Sequence, residues 1–361
     1  MKPIIMLFVC LSIALGETAS PPPRWEMAFR GRQDFFPILV FTSSKRLAIS
    51  DLDQLATGAN SDILLLDAGT GTLLSRIPSS APTFLSGFER APIVVPLRDG
   101  RFLVKSWNLL RLLSADGQEL KRRTLTLESV QASYNAKLLL WDRWDIAASP
   151  DGTAVLATRH RSSHREAEEH WLSTDTLDDI EVESADSGRC CLAVSRKHVI
   201  YSSSAPKLEP LWIRAKGAAA ARPLCAKCFG DNGVFLNDDQ VVFATWPKAS
   251  LAIASIGGEI KFRRSFGEAD DTILAISVAA TPQRVAFLSG PEHVPATVAN
   301  YKIGIFDVDQ KRLVLKMLFT TPIHRTERLT TIISPQIAIS ADGRSLAVLT
   351  NSALQLYSLE H

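Results

Sequence analysis

Four cysteines in two close pairs are the residues whose spacing first indicates chemistry. Cys190 and Cys191 are adjacent, and Cys225 and Cys228 are separated by two residues. Without its first sixteen residues the chain keeps these four of its five cysteines. An even number in an oxidising compartment predicts structural disulfides, with at least one bond joining the first pair to the second. A four-thiolate zinc site is an alternative, although adjacent cysteines fit a tetrahedral site poorly. Thioredoxin-type chemistry would need a helix N-terminus to lower a thiol pKa, and no helix is predicted there.

Histidines and glutamates crowd a short segment, which is the second candidate for chemistry. The stretch RHRSSHREAEEHW contains His160, His164, His170, Glu166, Glu168 and Glu169. Imidazole and carboxylate together can bind zinc or copper, but this spacing matches no established motif. We therefore interpret the segment as a solvated surface loop and predict no metal and no other cofactor. A metal site at the three histidines is the alternative.

Motifs for catalysis are not found in the sequence. It contains no nucleophile elbow, no phosphate-binding loop and no recognisable acid–base pair. Isolated polar residues such as those of Ser340-Ala341-Asp342-Gly343 are explained by turn geometry. We therefore favour a non-catalytic protein, with an enzyme assembled from scattered loop residues as the alternative.

The elements that must position these residues repeat along the chain. A unit of strand, tight turn, strand, connection, strand, tight turn and strand first occupies residues 37–50 and 62–78, and similar units follow. The second tight turns fall at Gly71, Gly117, Asp178, Gly217, Gly258 and Asp309. Their spacing of roughly 40 to 60 residues suits a four-stranded propeller blade. No stretch has a convincing helical period.

The seventh unit, at the end of the chain, lacks a strand. Its residues 336–361 provide only three strands, separated by the turn signals Ala341-Asp342-Gly343 and Asn351-Ser352. The segment RWEMAFRG, residues 24–31, alternates in strand fashion, with Trp25, Met27 and Phe29 on one face. We predict that it supplies the missing outer strand and closes the ring, so that no blade edge is left half built. A disordered N-terminal tail is the alternative.

This arrangement resembles the seven-bladed β-propellers of the WD-repeat and YVTN-repeat class over essentially the whole mature chain. The Gly-His and Trp-Asp signatures of WD-repeat blades are not in place, since Trp141-Asp142 and Trp144-Asp145 fall in the approach to the predicted third blade and not at the end of a third strand. The nearer likeness is to secreted bacterial propellers of this superfamily. It implies an all-β fold, with one domain over residues 17–361 built from seven four-stranded antiparallel blades. Vicinal cysteines in a propeller also look like those above the cofactor of quinoprotein dehydrogenases, but this chain is much shorter.

The first sixteen residues have the layout of a secretory signal peptide. Lys2 precedes an apolar run from Ile4 to Leu15, which ends in the small-residue site Ala14-Leu15-Gly16. The run is too short to form a stable membrane anchor. We predict cleavage after Gly16 and a secreted or periplasmic protein. A lipoprotein signal at Cys10 is the alternative, but bulky residues precede that cysteine.

The charge balance limits the classes of partner. Removing Lys2 with the signal leaves 39 basic residues (40 − 1) against 38 acidic ones. Without a basic run, we predict no nucleic-acid partner, and no later segment is apolar enough for a membrane span. We expect a monomer that binds a protein or other macromolecule through its loop face. An enzyme or metalloprotein using that face is the alternative.

Long connections and aromatic residues predict where that face lies. Between the second and third strands, the connection expands to DLDQLATGANSD, RHRSSHREAEEH and GPEHVPATVANYK in blades one, three and six. Long loops on a rigid scaffold tend to carry binding, and tryptophan is enriched in interface hot spots. We predict that the following residues share one face around the channel mouth: Asp53, Trp107, His164, Trp171, Trp212, Trp246, His293 and Tyr301. The alternative is that the tryptophans pack between blades.

Overall fold

The computed structural model describes residues 21–28, 38–51, 61–79, 92–126, 143–160, 166–186, 189–203, 209–230, 232–245, 249–266, 271–279, 281, 283–291, 298–322, 335–350 and 352–359. Regular structure in these ranges consists of β-strands. Among the described residues, none belongs to a helix long and apolar enough to cross a membrane.

The first strands build blades one to three. In chain order, β1 (Trp25–Ala28) comes first. Blade one then contains β2 (Leu39–Ser43), β3 (Arg46–Ser50), β4 (Ile63–Asp67) and β5 (Leu73–Ile77). Blade two contains β6 (Ile93–Pro96), β7 (Phe102–Ser106), β8 (Leu109–Leu113) and β9 (Glu119–Thr124). Blade three contains β10 (Arg143–Ala148), β11 (Val155–His160), β12 (Glu166–Leu172) and β13 (Asp179–Asp186).

The remaining strands build blades four to seven. Blade four contains β14 (Arg189–Val194), β15 (His198–Ser203), β16 (Trp212–Ala215) and β17 (Arg222–Pro223). Blade five contains β18 (Val234–Asn237), β19 (Gln240–Thr245), β20 (Ser250–Ser255) and β21 (Ile260–Ser265). Blade six contains β22 (Asp271–Ala279), β23 (Arg284–Pro291), β24 (Val298–Asp307) and β25 (Arg312–Pro322). Blade seven contains β26 (Gln336–Ile339), β27 (Ser345–Leu349) and β28 (Ala353–Ser358).

The blades form a closed ring. Within the described residues, each of the seven sheets is four-stranded and antiparallel. The innermost strands of neighbouring blades contact one another around the ring, from β2 through β6, β10, β14, β18, β22 and β26 back to β2. Apolar side chains fill the space between blades, and the second strands β3, β7, β19, β23 and β27 are almost wholly buried. The prediction of a seven-bladed β-propeller is confirmed.

The missing strand of blade seven is β1. It pairs antiparallel with β28, with Trp25 opposite Leu356 and Ala28 opposite Ala353. The indole Nε1 of Trp25 donates a hydrogen bond to the carbonyl oxygen of Ala68 in blade one, at 3.0 Å. Glu26 points outward and is exposed. The predicted closure is therefore confirmed for Trp25–Ala28, while the predicted continuation through Phe29 lies outside the described residues.

Two predicted long connections are shorter in the structure. In blade three, β11 extends to His160 and β12 begins at Glu166, so only residues 161–165 separate them. In blade six, only residues 292–297 separate β23 from β24. Charged residues suggested a loop in blade three, but cross-strand pairing accommodates them. Arg159 lies opposite Glu168, and their side chains form an ion pair at 3.3 Å.

Replacing Trp25 with Ala tests the closure. The substitution removes a partly buried indole and its hydrogen bond to blade one, so we expect the free energy of unfolding to fall by about 2 to 3 kcal/mol. Glu26→Ala on the same strand is the control, and its exposed side chain predicts a loss under about 0.5 kcal/mol. Urea unfolding measures both, and equal values would show that the Trp25 side chain does not stabilise the contact between blades seven and one.

Candidate binding site

A cavity of about 1010 Å³ occupies part of the central channel. The innermost strands β2, β6, β10, β18, β22 and β26 contribute to its described lining. Much of the wall is aliphatic, as at Leu39, Val94, Val234 and Ile276. The volume is at the upper end of the range typical for ligand pockets, which are also mainly apolar with a few polar groups.

The cavity lies towards the end of the channel where the tight turns meet. In an antiparallel blade, the first and third turns lie at one end and the connection between the second and third strands lies at the other. The cavity is lined by first-turn residues, among them Ser44, Arg98, Asp151, Thr281 and Asp342. Charged and hydroxyl groups therefore surround this mouth, at the end opposite the long connections.

Two of the turns at the mouth have the same internal hydrogen bonds. Ser149 donates its hydroxyl to Asp151 Oδ1 at 2.6 Å, and Ser340 donates to Asp342 Oδ1 at the same distance. The glycine that follows each aspartate has a φ of 66°. Burial opposes the charge of Asp151, but hydrogen bonds from Ser149 and Thr153 lower its pKa below the ordinary value. Asp151 is therefore ionised at the mouth at neutral pH.

The turns are also tied to their neighbours. Gly152 packs so closely on blade two that a Cβ atom there would lie 2.3 Å from the Arg98 backbone nitrogen. Ion pairs join further turns between blades: Arg46 with Asp116, Arg101 with Asp175, and Arg196 with Asp151 and Asp238. Exposed pairs stabilise little individually. Together with the close packing, they hold the mouth in one geometry.

A buried cluster of charges lies between blades three and four. Arg214 of β16 contacts Glu169 of β12 and Glu183 of β13, and its Nε donates to the Tyr201 hydroxyl at 2.9 Å. Tyr201 in turn donates to Glu169 Oε1 at 2.7 Å. Glu169 is completely buried and Arg214 is 4% exposed. Trp171 completes the cluster by donating to Glu183 Oε1 at 3.0 Å.

The cluster's pKa values reflect this burial. Burial raises the pKa of Glu169 above its ordinary value, although Tyr201 and Arg214 partly oppose the shift. Burial disfavours the charge of Arg214, but Glu169 and Tyr201 outweigh that effect and raise its pKa.

Beside the cluster is a second cavity, of about 330 Å³, lined by Tyr201, Trp212, Arg214 and the small residues Ala219–Ala221. The cluster's hydrogen bonds join the two blades.

The sequence analysis missed this cluster. An arginine within the apolar strand of LWIRAK was the available signal, because a charge between buried residues requires a partner. The partners Glu169 and Glu183 come from the preceding blade, 45 and 31 residues away in sequence (214 − 169 and 214 − 183). Nothing local in the sequence identifies them.

Among the described residues, the predicted binding-face residues do not form one exposed group. Trp171 and Tyr301 are 2% and 1% exposed, so the expectation that they lie at a channel rim is wrong. Trp171 also lies opposite Leu156, near the tight-turn end. Trp212 begins β16 and lines the second cavity, and Trp107 lies in the connection between β7 and β8 with a φ of 56°. Outside the described residues are Asp53, His164, Trp246 and His293.

His170 lies in a strand, and the expectation of a surface loop is wrong at this position. Its Nδ1 is 3.1 Å from Asp179 Oδ1, and its ring centroid is 4.9 Å from that of Trp144. His160 ends β11, and His164 lies outside the described residues. Among the described residues, no group of three potential metal ligands is found.

The cysteine pairing differs from the prediction. Cys225 and Cys228 form a disulfide with each other, so neither is bonded to Cys190 or Cys191. The reason is the shape of blade four, whose outer strand β17 has only two residues. The chain then turns back, which places the two Cα atoms 5.2 Å apart. This distance suits a disulfide. The side chain of Cys190 lies outside the described residues.

Comparison with known proteins shows the fold class. No protein-family model matches the sequence, and no curated protein is significantly similar to it. The chain is similar to a solved structure of BBS1N in complex with ARL6DN, with a TM-score of 0.56 and 12% identity over 95% of this chain and 98% of that one. A chain of the mitotic checkpoint complex gives a TM-score of 0.56 at 11% identity, with 99% and 98% coverage. A putative TolB from Agrobacterium tumefaciens gives 0.46 at 11% identity, with 79% and 93% coverage. The two structures with a TM-score of 0.56 agree with the seven four-stranded sheets of the described residues, and the protein is a seven-bladed β-propeller with a WD-repeat-like fold.

Gly152→Ala tests the close packing at the mouth. The alanine would have to adopt the positive φ of Gly152, and its Cβ would clash with the Arg98 backbone. We therefore expect the free energy of unfolding to fall by about 3 to 5 kcal/mol. Gly217 has a φ of 77° but no atom within 4 Å of an added Cβ. Gly217→Ala should therefore cost only about 1 to 2 kcal/mol. Thermal and urea unfolding measure both, and equal losses would contradict the packing argument.

Arg214→Met tests the buried cluster. The variant leaves Glu169 and Glu183 buried without their cation, so we expect a loss of about 3 to 5 kcal/mol. Arg222→Met is the control, since Arg222 is exposed and binds only backbone carbonyl groups. It should cost no more than about 1 kcal/mol.

Acid should partly rescue the Arg214→Met variant. Burial already raises the pKa of Glu169, and removing the arginine raises it further. The folded variant then binds a proton that the unfolded chain does not, so its stability increases as the pH falls from about 7.5 to about 5. Urea unfolding across this range measures the effect relative to the Arg222→Met control. A variant whose deficit did not shrink would contradict the assignment.

Proposed function

We propose that this protein is an exported, non-catalytic binding module that holds a segment of a protein partner in the mouth of its channel. The cavity at the tight-turn end carries this proposal. It combines an aliphatic wall with charged and hydroxyl groups at its opening, as recognition sites commonly do. The packing of Gly152 against blade two keeps the opening rigid, which reduces the entropy lost on binding.

The similar solved structures support a binding role. BBS1N was solved in a complex with ARL6DN, and the other chain belongs to the mitotic checkpoint complex. Both are propeller-like chains within assemblies. A partner segment in an aliphatic channel would gain affinity by burying apolar side chains, at about 25 cal/mol per Å² of apolar surface. The groups at the opening would then select its polar ends.

The opposite end of the ring is the competing location. The sequence analysis placed binding there, at the connections between the second and third strands. Trp107 lies at that end of the ring, in the described connection between β7 and β8. Photoreactive amino acids placed at the tight-turn end and at the opposite end of the ring distinguish the two possible binding surfaces.

Site-specific photo-crosslinking tests the proposed surface. A photoreactive amino acid replaces Thr281 or Ala341, which are exposed and line the cavity. Gln118 is the control, because it is exposed in a third turn at the same end but outside the cavity lining. A photoreactive amino acid in place of Trp107 tests for binding at the opposite end of the ring. The probe is the exported-protein fraction of the native organism.

We expect the same partner to cross-link from Thr281 and Ala341 but not from Gln118. The double variant Thr281→Trp/Ala341→Trp narrows the mouth, so it should weaken binding of that partner by at least about tenfold, or about 1.4 kcal/mol. Cross-links obtained only from position 107 would contradict binding at the mouth and would place the binding surface at the opposite end of the ring. Equal cross-linking from Gln118 would contradict specific binding at the mouth.

Export has a separate test. We propose that residues 1–16 are removed as a signal peptide, because Lys2 and the apolar run to Leu15 have the required layout. N-terminal sequencing of protein isolated from the native organism should begin at Glu17. A chain that retains Met1 or Lys2 would contradict export by this route.

A further inference from the structure

The Cys225–Cys228 disulfide closes a very short loop at the outer edge of blade four. Its cysteines are three positions apart in sequence. In the chain-entropy model, a disulfide stabilises by restricting the unfolded chain, and its contribution grows with loop length. A disulfide that closes so short a loop is therefore expected to stabilise the folded chain only weakly. Holding the fold together is therefore a poor explanation for it.

Hydrogen bonds already hold the turn in place without the disulfide. Leu211 donates its backbone N–H to Cys228 O at 2.9 Å, and Leu224 donates to Leu211 O at 2.7 Å. A further bridge joins Pro210 and Phe229. These contacts flank both cysteines, so breaking the sulfur–sulfur bond leaves the backbone of the turn paired.

The two sulfur-bearing residues differ in accessibility. Cys228 is completely buried, within the apolar cluster between blades four and five. Cys225 is only partly buried, and the intervening Ala226 and Lys227 are exposed. Of the two, Cys225 is therefore the one more accessible to a thiolate from solution, whereas the protein interior covers Cys228. Lys227 belongs to the same turn, and its exposed positive charge favours an anionic attacking group.

We infer that this disulfide is a thiol–disulfide exchange site whose substrate is the dithiol of a reducing partner. A partner thiolate attacks Cys225 Sγ, the Cys225–Cys228 bond breaks, and Cys228 leaves as a thiolate. The partner's second thiol then attacks the mixed disulfide and releases Cys225. The partner is oxidised to its disulfide, and its two electrons and two protons pass to the two cysteines. No helix N-terminus adjoins the described turn to lower the pKa of either thiol.

Two matched variants of the full chain test the inference. Cys228→Ser retains the partly exposed Cys225, and Cys225→Ser retains the buried Cys228. The probe is an aromatic disulfide reagent, with peptide mapping to separate these positions from Cys190 and Cys191. We expect the folded Cys228→Ser variant to react at Cys225 at least about tenfold faster than Cys225→Ser reacts at Cys228. In denaturant the two rates should converge, because the difference arises from folding.

The wild-type chain provides a measurement that does not depend on how either variant folds. Dithiothreitol should reduce Cys225–Cys228 in native buffer, while far-ultraviolet circular dichroism stays unchanged. Mixed disulfides trapped with a single thiol should map to Cys225. Reduction that occurs only where the chain unfolds would overturn the inference, as would trapping at Cys228 or equal rates for the two folded variants.

Discussion

The pairing of β1 with β28 is the contact on which the rest of the structure depends. Without it, β28 would present an unpaired edge, and blade seven would lose the face that Trp25 and Met27 provide towards blade one. Every other blade is built from consecutive strands, so this is the contact that joins the two ends of the chain. The channel and its cavity require all seven innermost strands to remain in a ring.

Closure alone does not define the mouth. Its geometry comes from contacts between neighbouring turns, where Gly152 brings the backbone of blade three against that of blade two. Serine–aspartate hydrogen bonds shape individual turns, and arginine–aspartate pairs connect them between blades. Close packing sets the position, while the exposed ion pairs add little stability individually. A rigid mouth follows from this combination.

Blade four departs from the regular pattern in two ways. Its outer strand β17 is the shortest described strand, so a disulfide turn occupies the edge that a longer strand would fill. Its third strand contributes Arg214 to a charged cluster with blade three. On its other side, blade four is joined to blade five by apolar packing around Cys228. Hydrogen-bonded charges join blades three and four, where burial makes an incomplete network costly.

The sequence by itself determined the number of blades, the positions of the turns and the strand that closes the ring. These features depend on local patterns: alternating apolar residues in RWEMAFRG, and glycines such as Gly71 and Gly117 where a positive φ is required. The tertiary structure decided which cysteines bond, that Trp171 is buried, and at which end the cavity lies. The burial of Trp171 and the place of the cavity depend on contacts between residues that are remote in sequence, whereas the disulfide depends on the turn after β17, which places two cysteines three positions apart within bonding distance. The partners of Arg214 come from another blade. Local patterns carry no information on such contacts, because packing between blades sets them.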